Sequence, residues 1–494
     1  MNIRHFTRTL ATALLAASIS ALQLHAKEAP QPNIIFVMAD DLGWGDVGFN
    51  GNKIIKTPHL DKMANSGLKL DRFYAASSIC SPTRASTLTG RHPWRQGILA
   101  AHTSGLRTGE ITIAEIAKEE GYTTGIFGKW HIGWVKPDEV SSRGHYSPPW
   151  HHGFDQAFVT TSAVPTWDPA ITPKGWSKWG NTEGEVWKNY PYVENGVTIK
   201  DNMRGDDSRV IMDRAIPFIE KAAQSGTPFL TCIWFHTPHE PVVAGPEYRA
   251  MYSKYSDEAQ HYYGCITAMD DQMGRLQKKL EALEISENTL IIFASDNGPS
   301  SGVTNKGIAS AGPFRGSKHT IYEGGLRVPA FMYWPGKIKP QQSSDAMTGT
   351  VDIFPTVSKL IGHRKGKKSK NPLDGVSLTP LIEGKPFDSD RSLFFGYQRL
   401  YKGVKTMALT DGRYKILRLP TPEGESPFEK MPDFDASQVW ENDSLYALYD
   451  LQEDPGETKD LKQQMPERFA QLLKQLQAAD LECQLSRDGL DYTY

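Results

Sequence analysis

Cysteine is scarce: Cys80, Cys232, Cys265 and Cys483 are the four thiols in 494 residues. So few rule out a disulfide framework, and a chain this long does not need one to hold its core. Charge of one sign is missing as well. The 55 Lys and Arg nearly balance the 57 Asp and Glu. No global field therefore draws the chain to nucleic acid or to an anionic membrane. An anionic substrate would have to be held by a local cluster of positive groups. Past the N-terminus no apolar run is long enough to span a bilayer. Nothing in the composition suggests disorder, collagen or a coiled coil, and there is no internal repeat. The expectation is one large globular domain plus a smaller one.

The N-terminus has Arg4 and Arg8, an apolar run from Leu10 to Leu22, and a small-residue site at Leu24-His25-Ala26. That order predicts a secretory signal over residues 1–26 and a secreted or periplasmic protein. The run is too short for a span, and no cysteine follows it to carry a lipid.

Several short apolar runs read as buried strands of a largely parallel sheet: Asn33 to Met38, Thr123 to Phe127, Phe229 to Phe235 and Thr289 to Phe293. Helical stretches alternate with them, at Thr112 to Glu119 and Ser208 to Ala223. A third carries Tyr262, Ile266, Met269, Met273, Leu276, Leu280 and Leu283 at steps of three and four. This alternation predicts an α/β fold, a large and mostly parallel sheet sandwiched by helices. Residues 134–206 are rich in Trp, Pro, Gly and His without a period, and read as loops around a site. From about residue 390 short β-like runs appear (Ser392 to Tyr397, Thr406 to Thr410, Tyr414 to Arg418), then a helix from Pro466 to Ala479. The expected division is a catalytic domain over 27–385 and an α+β subdomain over 386–494, an antiparallel sheet with a helix on it.

Ligands of parallel sheets bind beyond the carboxyl ends of the strands. Here each strand end carries polar groups: Asp40-Asp41, Lys129 with His131, His236 with His239, and Asp296-Asn297. One such end is an ordinary turn. Four together predict a shared crevice. The hard oxygens of Asp40, Asp41, Asp296 and Asn297 suit Ca²⁺ or Mg²⁺ rather than zinc. Lys129, His131, His239 and Lys318 suit anion binding and proton transfer. Cys232 and Cys265 lie on apolar faces and read as core thiols. Cys80 has small polar neighbours, and Pro82 fits the first turn of a helix ending at Gly90. Cys80 would then stand at a helix N-terminus, which favours anions.

Cys80-Ser-Pro-Thr-Arg84, continuing Ala-Ser-Thr-Leu-Thr-Gly-Arg91, resembles the signature of the formylglycine-dependent (type I) sulfatases. Asp40-Asp-Leu-Gly-Trp-Gly45, Gly128-Lys-Trp-His131, Ser295-Asp-Asn-Gly298, Arg315-Gly-Ser-Lys318 and Glu323-Gly-Gly-Leu-Arg-Val-Pro329 resemble further family motifs, so the likeness spans nearly the whole mature chain. Thr83 stands where Ser or Ala is usual. The resemblance implies an alkaline phosphatase-like fold and hydrolysis of sulfate esters. It implies oxidation of Cys80 to formylglycine (3-oxoalanine) by a maturation enzyme. It assigns Asp40, Asp41, Asp296, Asn297 and the modified residue 80 to calcium, and Arg84 to the formylglycine hydrate. Lys129, His131, His239 and Lys318 would be the sulfate-binding and acid–base set. His239 is preferred to His236 because Pro238-His-Glu-Pro241 matches the family's Pro-His-x-Pro pattern. Ser162 is a further candidate sulfate contact.

The implied substrate is a sulfated polysaccharide or oligosaccharide. His151, Trp167, Arg204, Arg315 and His319 are candidate contacts to it. Two other readings stay open at this point: a phosphonate or phosphate ester hydrolase of the same superfamily, and a non-catalytic glycan-binding homologue. The sugar, the sulfate position, endo or exo action and the oligomeric state are not legible.

Overall fold

The computed structural model describes residues 31–102, 104–139, 145–363, 371–387, 390–399, 404–419 and 445–492. The predicted signal over 1–26 lies outside the described residues. Among those described, no helix is long and apolar enough to cross a membrane.

The strands of the first part are β1 (Asn33–Ala39), β2 (Leu68–Leu70), β3 (Phe73–Tyr74), β4 (Thr123–Lys129), β5 (Gln156–Thr160), β6 (Val193–Glu194), β7 (Val197–Thr198), β8 (Phe229–Trp234), β9 (Thr289–Ser295), β10 (Ala330–Tyr333), β11 (Gln342–Ser344) and β12 (Thr348–Gly349). Ten of them form one mixed sheet in the order β11-β2-β10-β9-β1-β8-β4-β5-β6-β7. The centre, from β9 to β5, is parallel throughout. Its strands are near-continuous apolar runs because both faces are covered. In β1, Ile34, Phe36 and Met38 enter one core, while Ile35, Val37 and Ala39 enter the other. The helices Cys80–Thr89, Ile113–Glu119 and Ile353–Leu360 cover the first face, and Pro58–Asn65, Asp207–Gln224 and Asp257–Ala282 cover the second. The predicted α/β sandwich is the one observed.

The segment 134–206 is less irregular than its composition suggests, since β5, β6 and β7 extend the sheet. Gln156–Thr160 is too short to show a period. It becomes a strand by pairing with β4, from Gly125 opposite Gln156 to Lys129 opposite Thr160.

Strands β3 and β12 pair as a separate two-stranded parallel sheet. A four-stranded sheet is antiparallel, β13 (Leu393–Arg399), β14 (Val404–Thr410), β15 (Tyr414–Arg418) and β16 (Tyr446–Asp450), in that order. On one face it packs the helix Pro466–Arg487, two turns longer than expected, with Leu472, Leu476 and Cys483 against Met407, Leu409, Ile416 and Leu448. On the other face Phe395, Ala408, Leu417 and Tyr449 share a core with Ile79, Cys80, Ile321 and Leu326. The small sheet thus backs onto the helix start that carries Cys80.

Candidate active site

The strands β9, β1, β8 and β4 are consecutive neighbours, all parallel. Their carboxyl ends therefore open on one place. Asp40 and Asp41 follow β1, Lys129 ends β4, His236 and His239 follow β8, and Asp296 and Asn297 follow β9. The helix Cys80–Thr89 begins there too, with Cys80 as its first residue and Arg84 one turn on. Gly90, at φ 70, closes that helix in the left-handed region.

Arg84 is fully buried and ties three of these elements together. Its Nε and Nη2 donate to Asp296 Oδ2 at 3.1 and 2.7 Å, and its Nη1 donates to the Lys129 carbonyl at 2.9 Å. Its guanidinium lies 5.2 Å from the Trp234 ring centroid. Lys129 Nζ donates to Asp40 Oδ2 at 2.6 Å, and Lys318 Nζ to Asp41 Oδ2 at 2.9 Å. Asn297 Nδ2 donates to Asp41 Oδ1 at 2.8 Å. His239 Nε2 stands 3.8 Å from Asp41 Oδ2, while its Nδ1 lies 2.7 Å from the Glu240 carbonyl. That carbonyl can only accept, so Nδ1 carries a proton and Nε2 faces the cluster. His236, by contrast, is a buried strut, bonded to Asp207 Oδ2 at 2.8 Å and Thr160 Oγ1 at 2.8 Å.

The charges conflict as they do in sites built for an ion. Burial would raise Asp40, but Lys129, His239, Arg84 and Lys318 hold it well below the carboxylate range. Burial and then Asp40 push Asp296 up to about 7, against the pull of Arg84 and Lys129. Burial pushes the Cys80 thiol up, against Lys129 and Lys318. Burial, then Lys318 and Lys129, bring His239 down to about 4. Asp41 and His131 both have left-handed backbone, φ 65 and 60, of the kind held in place by surroundings at working sites.

Ser162 joins the cluster: its Oγ lies 3.3 Å from His131 Nε2. His319 stacks on Tyr397 with centroids 5.4 Å apart, and its amide donates to the Ser78 carbonyl at 2.9 Å, beside the start of the Cys80 helix. Arg315 turns toward the C-terminal part, donating to the Glu457 carbonyl at 2.9 Å over the Tyr322 ring. Trp167 pairs with Asp206 and packs against Gly245. His151 is exposed, edge-on to Tyr146, and Arg204 is exposed. Among the described residues, neither of these last two pairs by hydrogen bond, charge or ring contact with the central group. His102 was not legible as a site residue. It comes from a loop with no periodic or motif signal, yet its Nε2 lies 3.0 Å from His131 Nε2.

Residues 32–363 match the family model described as Sulfatase. The chain belongs to the sulfatase family. Residues 315–425 of this sulfatase also match the model for the C-terminal part of N-sulphoglucosamine sulphohydrolase. It is 34% identical to arylsulfatase G of Rattus norvegicus, over 78% of this chain and 76% of the relative. It is 31% identical to N-acetylgalactosamine-6-sulfatase of the same organism, over 91% of this chain and 85% of the relative. Among solved structures it resembles Ps i-CgsB in complex with k-i-k-neocarrahexaose, at TM-score 0.75 and 25% identity, covering 94% of this chain and 97% of that one. The fold is the alkaline phosphatase-like fold of these sulfatases, and the enzyme is a sulfuric ester hydrolase.

The donor set of this sulfatase fits a hard cation. Asp40 Oδ1 and Asn297 Oδ1 are buried oxygens with no hydrogen-bond partner among the described residues. A buried acceptor in that state is costly unless something positive takes it up. Both come from the all-oxygen group predicted for Ca²⁺.

Proposed function

We propose that this sulfatase removes sulfate from a sulfated polysaccharide or oligosaccharide at the cluster around Cys80. The observation that carries the site is the convergence of two buried oxygens without a hydrogen-bond partner among the described residues, Asp40 Oδ1 and Asn297 Oδ1, beside a helix whose first residue is Cys80. The carbohydrate is supported by relatives: one is named for N-acetylgalactosamine 6-sulfate, and one structural neighbour holds a neocarrahexaose.

Asp40, Asp41, Asp296 and Asn297 would hold Ca²⁺, with residue 80 completing the set. Bound there, the ion supplies Lewis acidity toward the sulfate oxygens and the nucleophile's hydroxyl. Oxidised to formylglycine, residue 80 supplies a hydrated aldehyde, two hydroxyls in place of one thiol. The raised thiol of the encoded cysteine works against a thiolate nucleophile, which agrees with the modified group as the reactive one.

The chain's own groups then have these roles. Arg84 orients residue 80 from one turn along its helix. Lys129 and Lys318 neutralise charge on the sulfate oxygens. His239 gives a proton from Nε2 to the leaving alcohol oxygen, and the bound sulfate favours the protonated ring. His131 takes the proton of the second hydroxyl when sulfate leaves. Ser162 contacts the sulfate, and His319 contacts the sugar at the mouth. His151, Trp167, Arg204 and Arg315 stand further out as sugar contacts. Residues 27–385 would form the catalytic domain and 386–494 the supporting subdomain, following secretion and signal removal.

The test is a screen of sulfated glycans of defined linkage against the matured enzyme, reading released sulfate. Turnover of at least one glycan above aryl sulfate and aryl phosphate esters is expected. Turnover confined to phosphate esters would overturn the reading.

A further inference from the structure

His131 has a neighbour that neither the signature motifs nor its own strand supplies. The loop after the Cys80 helix carries His102, whose backbone has φ 59. Its Nε2 is 3.0 Å from His131 Nε2, and the ring centroids are 4.5 Å apart. Ser162 Oγ lies 3.3 Å from both of those nitrogens. Tyr190 stacks on the far face of this arrangement, with its centroid 5.7 Å from that of His102 and planes 20° apart. His131 Nδ1 is buried and has no hydrogen-bond partner among the described residues.

Two imidazole nitrogens at hydrogen-bond distance share one proton, so the neutral rings must be in complementary tautomers. If His131 donates from Nε2, its Nδ1 is bare, and His102 accepts at Nε2 with its own proton on Nδ1. Only in that arrangement is the unpartnered Nδ1 of His131 able to take a proton. The ordinary alternative is that His102 merely packs in an aromatic loop with Tyr190 and Trp134. Packing accounts for the stacking but not for the nitrogen-to-nitrogen contact.

We propose that His102 is a positioning residue for His131, accepting its Nε2–H and so holding Nδ1 bare as the base. This rests on His131 having the role given to it above. In the step, the O–H bond of the second hydroxyl of residue 80 breaks and an N–H bond forms at His131 Nδ1. The electron pair left on that oxygen forms the aldehyde C=O, and the C–O bond to the sulfate breaks, sulfate leaving with the pair of that bond. The imidazolium keeps its Nε2–H bonded to His102 Nε2, which stabilises the charge. The logic is that of any base held in one tautomer by a third group.

The experiment uses the matured full chain with 4-nitrophenyl sulfate, and compares His102→Phe, His102→Gln and His131→Ala. Phenylalanine keeps the stacking and removes the acceptor. Glutamine places its amide oxygen near the position of the imidazole Nε2. His102→Phe is expected to lower kcat about tenfold or more with KM changed less than about threefold, and His102→Gln to recover most of that loss. Wild-type kcat in His102→Phe overturns the proposal, as does a loss that falls on KM alone or a Gln variant as slow as Phe. If His131→Ala keeps its turnover, the role of His131 fails first, and this proposal with it. If His131→Ala is inactive and His102→Phe is not impaired, only the proposal fails. Nitrogen-15 NMR of the resting enzyme gives a second measure, independent of turnover. His131 Nδ1 should be unprotonated in wild type and in His102→Gln, and shift toward the protonated form in His102→Phe. An unchanged His131 signal in His102→Phe overturns the proposal.

Discussion

Three carboxylates, three cations and one small thiol side chain meet at this site, and their separate burdens can be tested one at a time. Cys80→Ala is expected to reduce sulfate release by at least about four orders of magnitude while the cooperative thermal transition is retained. Near-normal turnover in that variant would end the formylglycine reading. Asp296 gives a pH test. Burial and then Asp40 push it up to about 7, against Arg84 and Lys129. A cation needs the ionised form, so below that pH protons compete and binding releases one. Calcium affinity measured by calorimetry should therefore fall as pH drops from about 7.5 to 5.5, with proton release in the same range. A flat profile would contradict this. With calcium bound as proposed, a chelator should abolish turnover and lower the melting temperature, since such an ion would bind the folded state alone.

At the scale of elements, the site depends on β4 and β8 lying close enough to aim Lys129 inward. Gly128 stands opposite Trp234 in that pair. It has φ 107, and a Cβ there would meet the Trp234 carbonyl oxygen at 2.0 Å. Gly128→Ala therefore combines a strained φ with a backbone clash. We expect a loss of about 3 kcal/mol or more in urea unfolding, and a fall in kcat as Lys129 moves off Asp40. The central strands were legible because buried parallel strands are continuous apolar runs. The strand Gln156–Thr160 was not, because its apolar stretch is short and only pairing with β4 makes it a strand. Strand β16 was not legible either, since it is a strand by pairing with β15, which lies far back in the sequence.

Across the molecule, the small sheet is tied to the connection between β9 and β10 by charge as well as by packing. Lys415 of β15 is fully buried, 2.9 Å from Glu323 Oε1 and 3.0 Å from Glu457 Oε1. Tyr74 of β3 donates to Glu323 Oε2 at 2.8 Å, and Glu323 lies five residues after Lys318. Lys415→Met would leave Glu457 without its buried cation and Glu323 with Arg327 3.8 Å away, a cost of about 3–5 kcal/mol. Burial already pushes Glu457 up to about 7. Without Lys415, Glu457 would be raised further and Glu323, which Lys415 and then Arg327 now hold below its ordinary value against burial, would rise too, so the folded state would bind more protons than the unfolded one. Stability should then recover as pH falls toward 5, and the deficit be largest above neutrality. Urea titrations at both pH values check this. An equal deficit at each would mean the charges are not the cause.

The amino-acid sequence determined the sandwich, the strand-end residues and the setting of Cys80. These follow from local rules: apolar runs, turn residues at strand ends, Pro82 and Gly90 around a helix. Only the tertiary structure decided which partners meet. That Asp296 receives Arg84, that Asp40 Oδ1 and Asn297 Oδ1 meet no donor among the described residues, and that His102 reaches His131 depend on segments remote in sequence. Their geometry is set by which strands lie side by side, and strand order is not a local property of any of them.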